Sequence, residues 1–330
     1  MRKMAALAVL ATSMCIVVET TGVAQDATGS PPSVASATPD TSSSTSPAAQ
    51  PWGKPVQTDI NPGQMVTYPS INRDIQAYFV TPKIPQGTPL ADATASADDA
   101  AKAKPKMPSI LYIHDIFGMT DFAKSQADSL ARQGYAVLMP NLYTRVDNSE
   151  KGFDAQSAWV AYERTTDPQM RQDLLAAIEY LQAEGKPTAD QPLAVVGHDL
   201  GGIFAMLIAS SDLRVKAAVN YYGRVVYPNI TPARPNSPVE ELFNLRAPLL
   251  SFYGTEDPQI PREQVRALES RLSHNPNRTY YEIVQFPNVG HGFLVPGRQG
   301  YNPQAAAASE EKVRNFLAKY LRPEPKKDDE

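Results

Sequence analysis

The segment Val195-Val196-Gly197-His198-Asp199-Leu200-Gly201-Gly202 constrains the chain most. An apolar run, Leu193 to Val196, enters it and reads as a buried parallel strand. A small-residue apolar run, Gly201 to Ala209, leaves it and reads as a helix. Strand, G-x-D-x-G and helix in that order describe a sharp turn that exposes one side chain at the end of a sheet strand. The flanking glycines suit it, because a side chain on either neighbour would clash in so tight a turn. The exposed slot holds Asp199.

Strands and helices alternate around this turn. Met65–Tyr68 and Ile75–Val80 are β-rich runs around Asn72-Arg73-Asp74 and read as an antiparallel hairpin at a sheet edge. Strands are expected at 110–114, 136–139, 215–221, 249–253 and 280–285, and helices at 122–133, 170–184, 262–273 and 305–321. Such alternation calls for a mostly parallel sheet with helices on both faces, an α/β fold whose ligands sit beyond the carboxyl ends of the strands. The polar stretch 84–107 reads as a loop insertion.

The ends of the chain have a different composition. Residues 1–24 carry Arg2 and Lys3 ahead of a short apolar run and close on Gly22-Val23-Ala24, the pattern of a cleavable secretory signal. The apolar run is short of the roughly 20 residues a membrane span needs. The mature protein is therefore expected to be secreted or periplasmic, without a stable membrane span. Cys15, the only cysteine, offers a lipid anchor as an alternative, although Met14 precedes it where a small residue is wanted. Cleavage after Ala24 leaves a chain without thiols, so its nucleophile is not cysteine. Residues 25–56, rich in Ser, Thr, Pro and Ala, read as a disordered linker, 57–321 as the folded domain and 322–330 as a charged tail. A net charge of −4 with interspersed signs gives no nucleic-acid surface. No metal-binding spacing is present around His114 or His198, and no cofactor is expected. A monomer acting on a small molecule satisfies all of this.

Two later stretches complete a chemical set. Gly254-Thr255-Glu256-Asp257-Pro258 breaks an apolar strand, and Gly290-His291-Gly292 follows another. The order is elbow residue, then an acid roughly 60 residues on, then a histidine roughly 30 further, each at a strand end, as in a hydrolytic triad. Asp257 is the expected acid, holding His291 in one tautomer, and His291 the expected general base. Alone, His291 reads equally as a loop histidine and Asp257 before Pro258 as a turn former.

The blocks His114-Asp115-Ile116-Phe117-Gly118, Gln133-Gly134-Tyr135-Ala136, Pro140-Asn141-Leu142-Tyr143, Gly197–Gly202, Tyr221-Tyr222-Gly223, Gly254–Pro258 and Gly290-His291-Gly292-Phe293 resemble those of the dienelactone hydrolase family, a branch of the α/β-hydrolase fold. The resemblance runs from about Val66 to Leu321. It implies a hydrolase, carboxymethylenebutenolidase-like, of a small ester, lactone or related carboxylate-bearing substrate. It implies an oxyanion hole from the N–H groups of Ile116 and Leu200, a role for Asp115 beside the nucleophile, and substrate contacts from Tyr143 and from Arg145, whose planar fork suits a carboxylate.

Asp199 departs from that family, which carries Cys or Ser there. A carboxylate attacking an ester carbonyl forms a mixed anhydride, whereas displacement at an sp³ carbon forms an ester that water can cleave. The same elbow occurs in haloalkane and fluoroacetate dehalogenases and in epoxide hydrolases, so covalent chemistry of that kind is an alternative, as is a scaffold that only binds ligand. Leu200 stands where those dehalogenases carry Trp or Arg. The roughly 57 residues between the elbow and Asp257 leave little room for a helical cap. Asp115 near Asp199 also raises the expectation that one of the two carboxyls has an elevated pKa.

Overall fold

The computed structural model describes residues 57–83, 106–147 and 150–322. The expected signal, linker, loop insertion and tail lie outside the described residues, apart from Met107 and its neighbour Lys106 and from Arg322. Eight strands form one sheet: β1 (Gln64–Ser70), β2 (Arg73–Val80), β3 (Ser109–Ile113), β4 (Ala136–Pro140), β5 (Leu193–His198), β6 (Val215–Tyr221), β7 (Leu249–Gly254) and β8 (Tyr281–Phe286). Their spatial order is β1-β2-β4-β3-β5-β6-β7-β8. β1, β2 and β4 pair antiparallel, and every pair from β4 through β3 to β8 is parallel. The hairpin therefore occupies the edge that its alternating pattern indicated. The central strands β3, β4 and β5 are buried along their whole length, which accounts for their unbroken apolar sequences.

Among the described residues seven helices accompany the sheet: α1 (Asp121–Arg132), α2 (Ala155–Glu163), α3 (Asp167–Gln182), α4 (Leu200–Ser211), the short α5 (Pro238–Glu241), α6 (Arg262–Ser273) and α7 (Pro303–Leu321). Side-chain caps start several of them. The Thr120, Asp154, Thr166 and Asn302 side chains accept from backbone N–H groups of the first turns of α1, α2, α3 and α7. Helix α4 is buried without a break from Leu200 to Ala209, as a helix apolar all round must be. It packs on β3, β5 and β6 and against α3. The start of α4 sits tight on the sheet: a Cβ on Gly197 would lie 2.1 Å from the Gly201 carbonyl oxygen, and one on Gly201 would lie 2.0 Å from that of Ile113. Only glycine allows this approach.

Helix α2 was not anticipated from periodicity. Its local signal is Asp154, which accepts from both the backbone N–H and the hydroxyl of Ser157. Between β6 and β7 there is no helical cap. That span holds α5, one 3-10 turn at Leu242–Asn244, and a strap from Tyr227 to Ser237. The strap is pinned to the α2–α3 corner. Arg234 donates to the carbonyls of Tyr162 at 2.7 Å and Thr165 at 2.9 Å and lies over the Tyr162 ring. The Tyr227 hydroxyl donates to Asp167 at 2.6 Å.

Candidate active site

Five parallel strands deliver the site from their carboxyl ends. Asp199 follows β5, Ile116 follows β3, Tyr222 and Arg224 follow β6, Asp257 follows β7 and His291 follows β8. Asp199 has φ 52° and ψ −115°, a left-handed conformation that strains a residue bearing a Cβ. Its N–H donates to the Tyr221 carbonyl at 2.9 Å, which ties the elbow to the neighbouring strand.

The Asp199 carboxylate faces two ways. Oδ1 lies 3.5 Å from His291 Nε2, and Oδ2 accepts from the Ile116 N–H at 3.2 Å. The Leu200 N–H also acts on it. The longer side chain thus places one of its own oxygens on the Ile116 N–H and brings its carboxylate under the influence of the Leu200 N–H, the two groups expected to form an oxyanion hole. Behind His291, Nδ1 stands 2.7 Å from Asp257 Oδ2. Asp257 is fixed in turn by the N–H groups of Gln259 at 2.8 Å and Ile260 at 3.1 Å, both donating to Oδ1. The Tyr222 ring stands edge-on to the His291 ring at 5.0 Å.

The electrostatics follow from this chain. Burial alone disfavours a charged His291, but the carboxylates of Asp199 and Asp257 on either side outweigh it and raise the imidazole to about 9. Burial likewise pushes the Asp199 carboxyl up. The His291 cation and the N–H groups of Leu200 and Ile116 overcome it, so Asp199 ionises below the ordinary carboxylate value. At neutral pH the pair is therefore carboxylate and imidazolium. The expected conflict with Asp115 does not raise Asp199. Asp115 accepts from Arg298 at 2.7 Å through Oδ2 and from the Phe117 N–H at 2.9 Å through Oδ1.

Two expected substrate contacts are corrected. Arg145 does not line the cavity; its guanidinium donates twice to Asp173 at 2.8 Å and to the Ile71 carbonyl at 2.8 Å, clamping the β1–β2 turn to α3. Sequence proximity to Tyr143 could not reveal that direction. Tyr143 is fully buried, and its hydroxyl donates to the Ile116 carbonyl at 2.9 Å. It thus anchors the backbone of Ile116 one peptide beyond the N–H that meets Asp199 and does not face the substrate. Asp115, likewise buried, reaches the cavity only through Arg298.

The other elbow-side histidines are internal. His114 Nε2 accepts from the Leu142 N–H at 3.1 Å, so Nδ1 carries the proton and donates to the Asp115 carbonyl at 2.6 Å. His198 packs against the Tyr112 hydroxyl, and burial lowers it to about 4, which keeps it neutral. Among the described residues no group of three or more His, Cys, Asp or Glu side chains is arranged to hold a metal ion.

Asp199 and His291 lie in the wall of a cavity of about 1170 Å³. Helix α2 contributes Trp159 and Tyr162 to it, and the strap contributes Tyr227 and Arg234. Arg224 and Arg298 line it as well. Neither α2 nor Arg224 stood out in the sequence, since nothing local to either points at a pocket.

Sheet order, elbow and the carboxyl-end placement of the site define an α/β-hydrolase. The profile of the dienelactone hydrolase family matches residues 96–321, and the chain belongs to that family and is a hydrolase of its type. A Salmonella typhimurium protein named for carboxymethylenebutenolidase is 28% identical over 259 residues, covering 78% of this chain and 87% of that one. A Bradyrhizobium protein named for 2-oxo-3-(5-oxofuran-2-ylidene)propanoate lactonase is 26% identical over 216 residues, 66% of this chain and 85% of that one. In fold, the chain is similar to a Klebsiella pneumoniae crystal structure described as a dienelactone hydrolase. The TM-score is 0.67 at 24% identity, with 80% of this chain and 100% of that one covered.

Proposed function

We propose that this hydrolase cleaves a small ester or lactone, or a related carboxylate-bearing substrate, and that Asp199 is the attacking group. The observation that carries the reading is the chain Asp199–His291–Asp257, presented by a strained elbow in the wall of the cavity. The relatives named for lactone hydrolysis support the substrate class. The signal-like residues 1–24 support export, which N-terminal sequencing of the secreted or periplasmic protein tests.

A specific feature favours a second reading of the bond attacked. In acyl attack, charge develops on the substrate carbonyl oxygen, which needs the N–H pair of Ile116 and Leu200. Here Asp199 Oδ2 sits on the Ile116 N–H, and the Leu200 N–H also acts on the carboxylate. Displacement at a saturated carbon needs no such site. Oδ1 attacks the carbon, the bond to the leaving group breaks, and His291, protonated at rest, gives its proton to the leaving group. Neutral His291 then takes a proton from water, which adds to Cγ of the Asp199 ester. The negative charge forms on Oδ2, already against the Ile116 N–H. Collapse breaks the bond between Cγ and Oδ1, so that Oδ1 departs on the substrate carbon as an alkoxide while the water oxygen stays on Cγ, and the alkoxide takes the remaining acid proton. Asp199 carboxylate and His291 imidazolium are restored. This course fits an ester cleaved on its alkyl side, an epoxide or an alkyl halide.

Single turnover in H₂¹⁸O with excess enzyme puts label in the Asp199 peptide if Asp199 is the attacking group. A substrate carrying ¹⁸O at its alkoxy oxygen decides between the courses: displacement leaves that label in the product acid, and attack at the carbonyl leaves it in the alcohol. A panel of p-nitrophenyl acetate, dienelactone, fluoroacetate and a simple epoxide, run beside Asp199→Asn, tests the whole proposal. Turnover that survives Asp199→Asn undiminished overturns Asp199 as the attacking group.

A further inference from the structure

We infer that the cavity takes a bipartite substrate, with a carboxylate held by Arg224 and an aryl or alkyl group held against Trp159. This rests on the hydrolase reading above and specifies what that site admits.

Arginine is the residue suited to a planar carboxylate, and three line the cavity. Two are already engaged: Arg298 is paired with Asp115 at 2.7 Å and lies over Phe117, and Arg234 is bound to the Tyr162 and Thr165 carbonyls. Arg145 is bound to Asp173 on another face of the domain. Arg224 differs. It is half-buried, and among the described residues no carboxylate or carbonyl pairs with it. A partly desolvated guanidinium without a partner is costly, and an entering anion relieves that cost. Its position is apt: it lies three residues beyond β6, and β6 pairs with the strand that carries Asp199. The unengaged acids of the same cavity, Glu163 and Glu256, are exposed, so water screens them more than it screens Arg224. One free cation matches a monoanion.

The remaining space asks for bulk. A cavity of about 1170 Å³ is beyond the roughly 300–1,000 Å³ that encloses a drug-sized ligand, so a small lactone leaves most of it empty. Trp159 lines it from α2 and is 55% exposed, with its ring held 5.6 Å from that of Tyr162. An indole open to solvent in a cavity wall offers an apolar platform to an aryl or alkyl group.

Binding of compounds with no hydrolysable bond tests this apart from turnover. 4-Phenylbutyrate, the neutral 4-phenylbutyramide and acetate are titrated into the full chain by calorimetry and by quenching of tryptophan fluorescence. Phenylbutyrate is expected to bind at least about tenfold tighter than the amide, the order of a charge-assisted hydrogen bond. Arg224→Gln is expected to erase that preference, Arg224→Lys to keep part of it, and Trp159→Ala to weaken both phenyl compounds about equally. Circular dichroism checks that each variant is folded. Equal binding of acid and amide, a preference that survives Arg224→Gln, or phenyl binding indifferent to Trp159→Ala overturns the inference. Loss of the hydrolase reading would show in the turnover panel and leave these affinities unchanged.

Discussion

Asp199 and His291 set each other's charge, and their coupling is measurable without any substrate. Replacing Asp199 by Asn removes one of the two carboxylates that hold His291 at about 9. The His291 titration followed by NMR is then expected to move down toward its ordinary value of 6.5. An unchanged midpoint would mean that Asp257 alone holds the proton. In the proposed reaction the same coupling acts as a switch: when Asp199 becomes an ester it loses its charge, and His291 becomes basic enough to take a proton but no longer a trapped cation. Tyr143 works one step back. Tyr143→Phe deletes the bond to the Ile116 carbonyl and loosens an N–H that faces Asp199. Deleting a whole oxyanion donor costs about 10²–10³ in kcat, so a loosened one is expected to cost about tenfold, with KM little changed. A rise in KM with unchanged kcat would restore Tyr143 to substrate contact.

At the scale of elements, the Arg145–Asp173 pair joins the edge hairpin to α3 and is nearly dry, with side chains 15% and 4% exposed. Removing the cation in Arg145→Met strands a buried carboxylate, so urea unfolding is expected to show a loss of about 3 kcal/mol while KM for a carboxylate substrate stays as it was. The strap behaves differently: Arg234→Met frees two carbonyls and the Tyr162 ring, so limited proteolysis is expected to cut between Tyr227 and Ser237 well before the wild type is cut. These two arginines also show what a sequence can convey. Strand and helix positions were readable because periodicity and turn residues act locally, and Asp199, Asp257 and His291 were readable because each closes a strand in a fixed order. Helix α2 escaped notice because its apolar face is weakly patterned, with Trp159 and Val160 turned outward. The direction of Arg145 depends on Asp173, which is distant in the chain, and no local pattern records such a pairing. Arg224 is harder still, because its interest lies in what the other arginines already hold.

Over the whole molecule, the raised His291 gives the fold a pH signature. A group with a folded pKa of about 9 and an ordinary value of 6.5 adds stability that is fully present below 6.5 and is lost as pH rises through 9. The difference in unfolding free energy between wild type and His291→Gln is therefore expected to be flat below pH 6.5 and to shrink steadily up to pH 9. A difference that grows with pH would reverse the assignment of charge. The sheet makes this coupling possible, since β5, β7 and β8 bring three residues far apart in sequence to one end.

The oxygen that Asp199 rests on the Ile116 N–H has a consequence for inhibition. A tethered occupant competes with any visitor at an effective concentration far above that of a dissolved compound. Boronates and phosphonates, which disable serine hydrolases by lodging an oxyanion on such N–H groups, must first evict it and should be poor inhibitors here. Alkylating agents such as epoxides and haloacetates meet no such rival, and should inactivate the protein by esterifying Asp199 wherever His291 is replaced and the ester cannot be cleared.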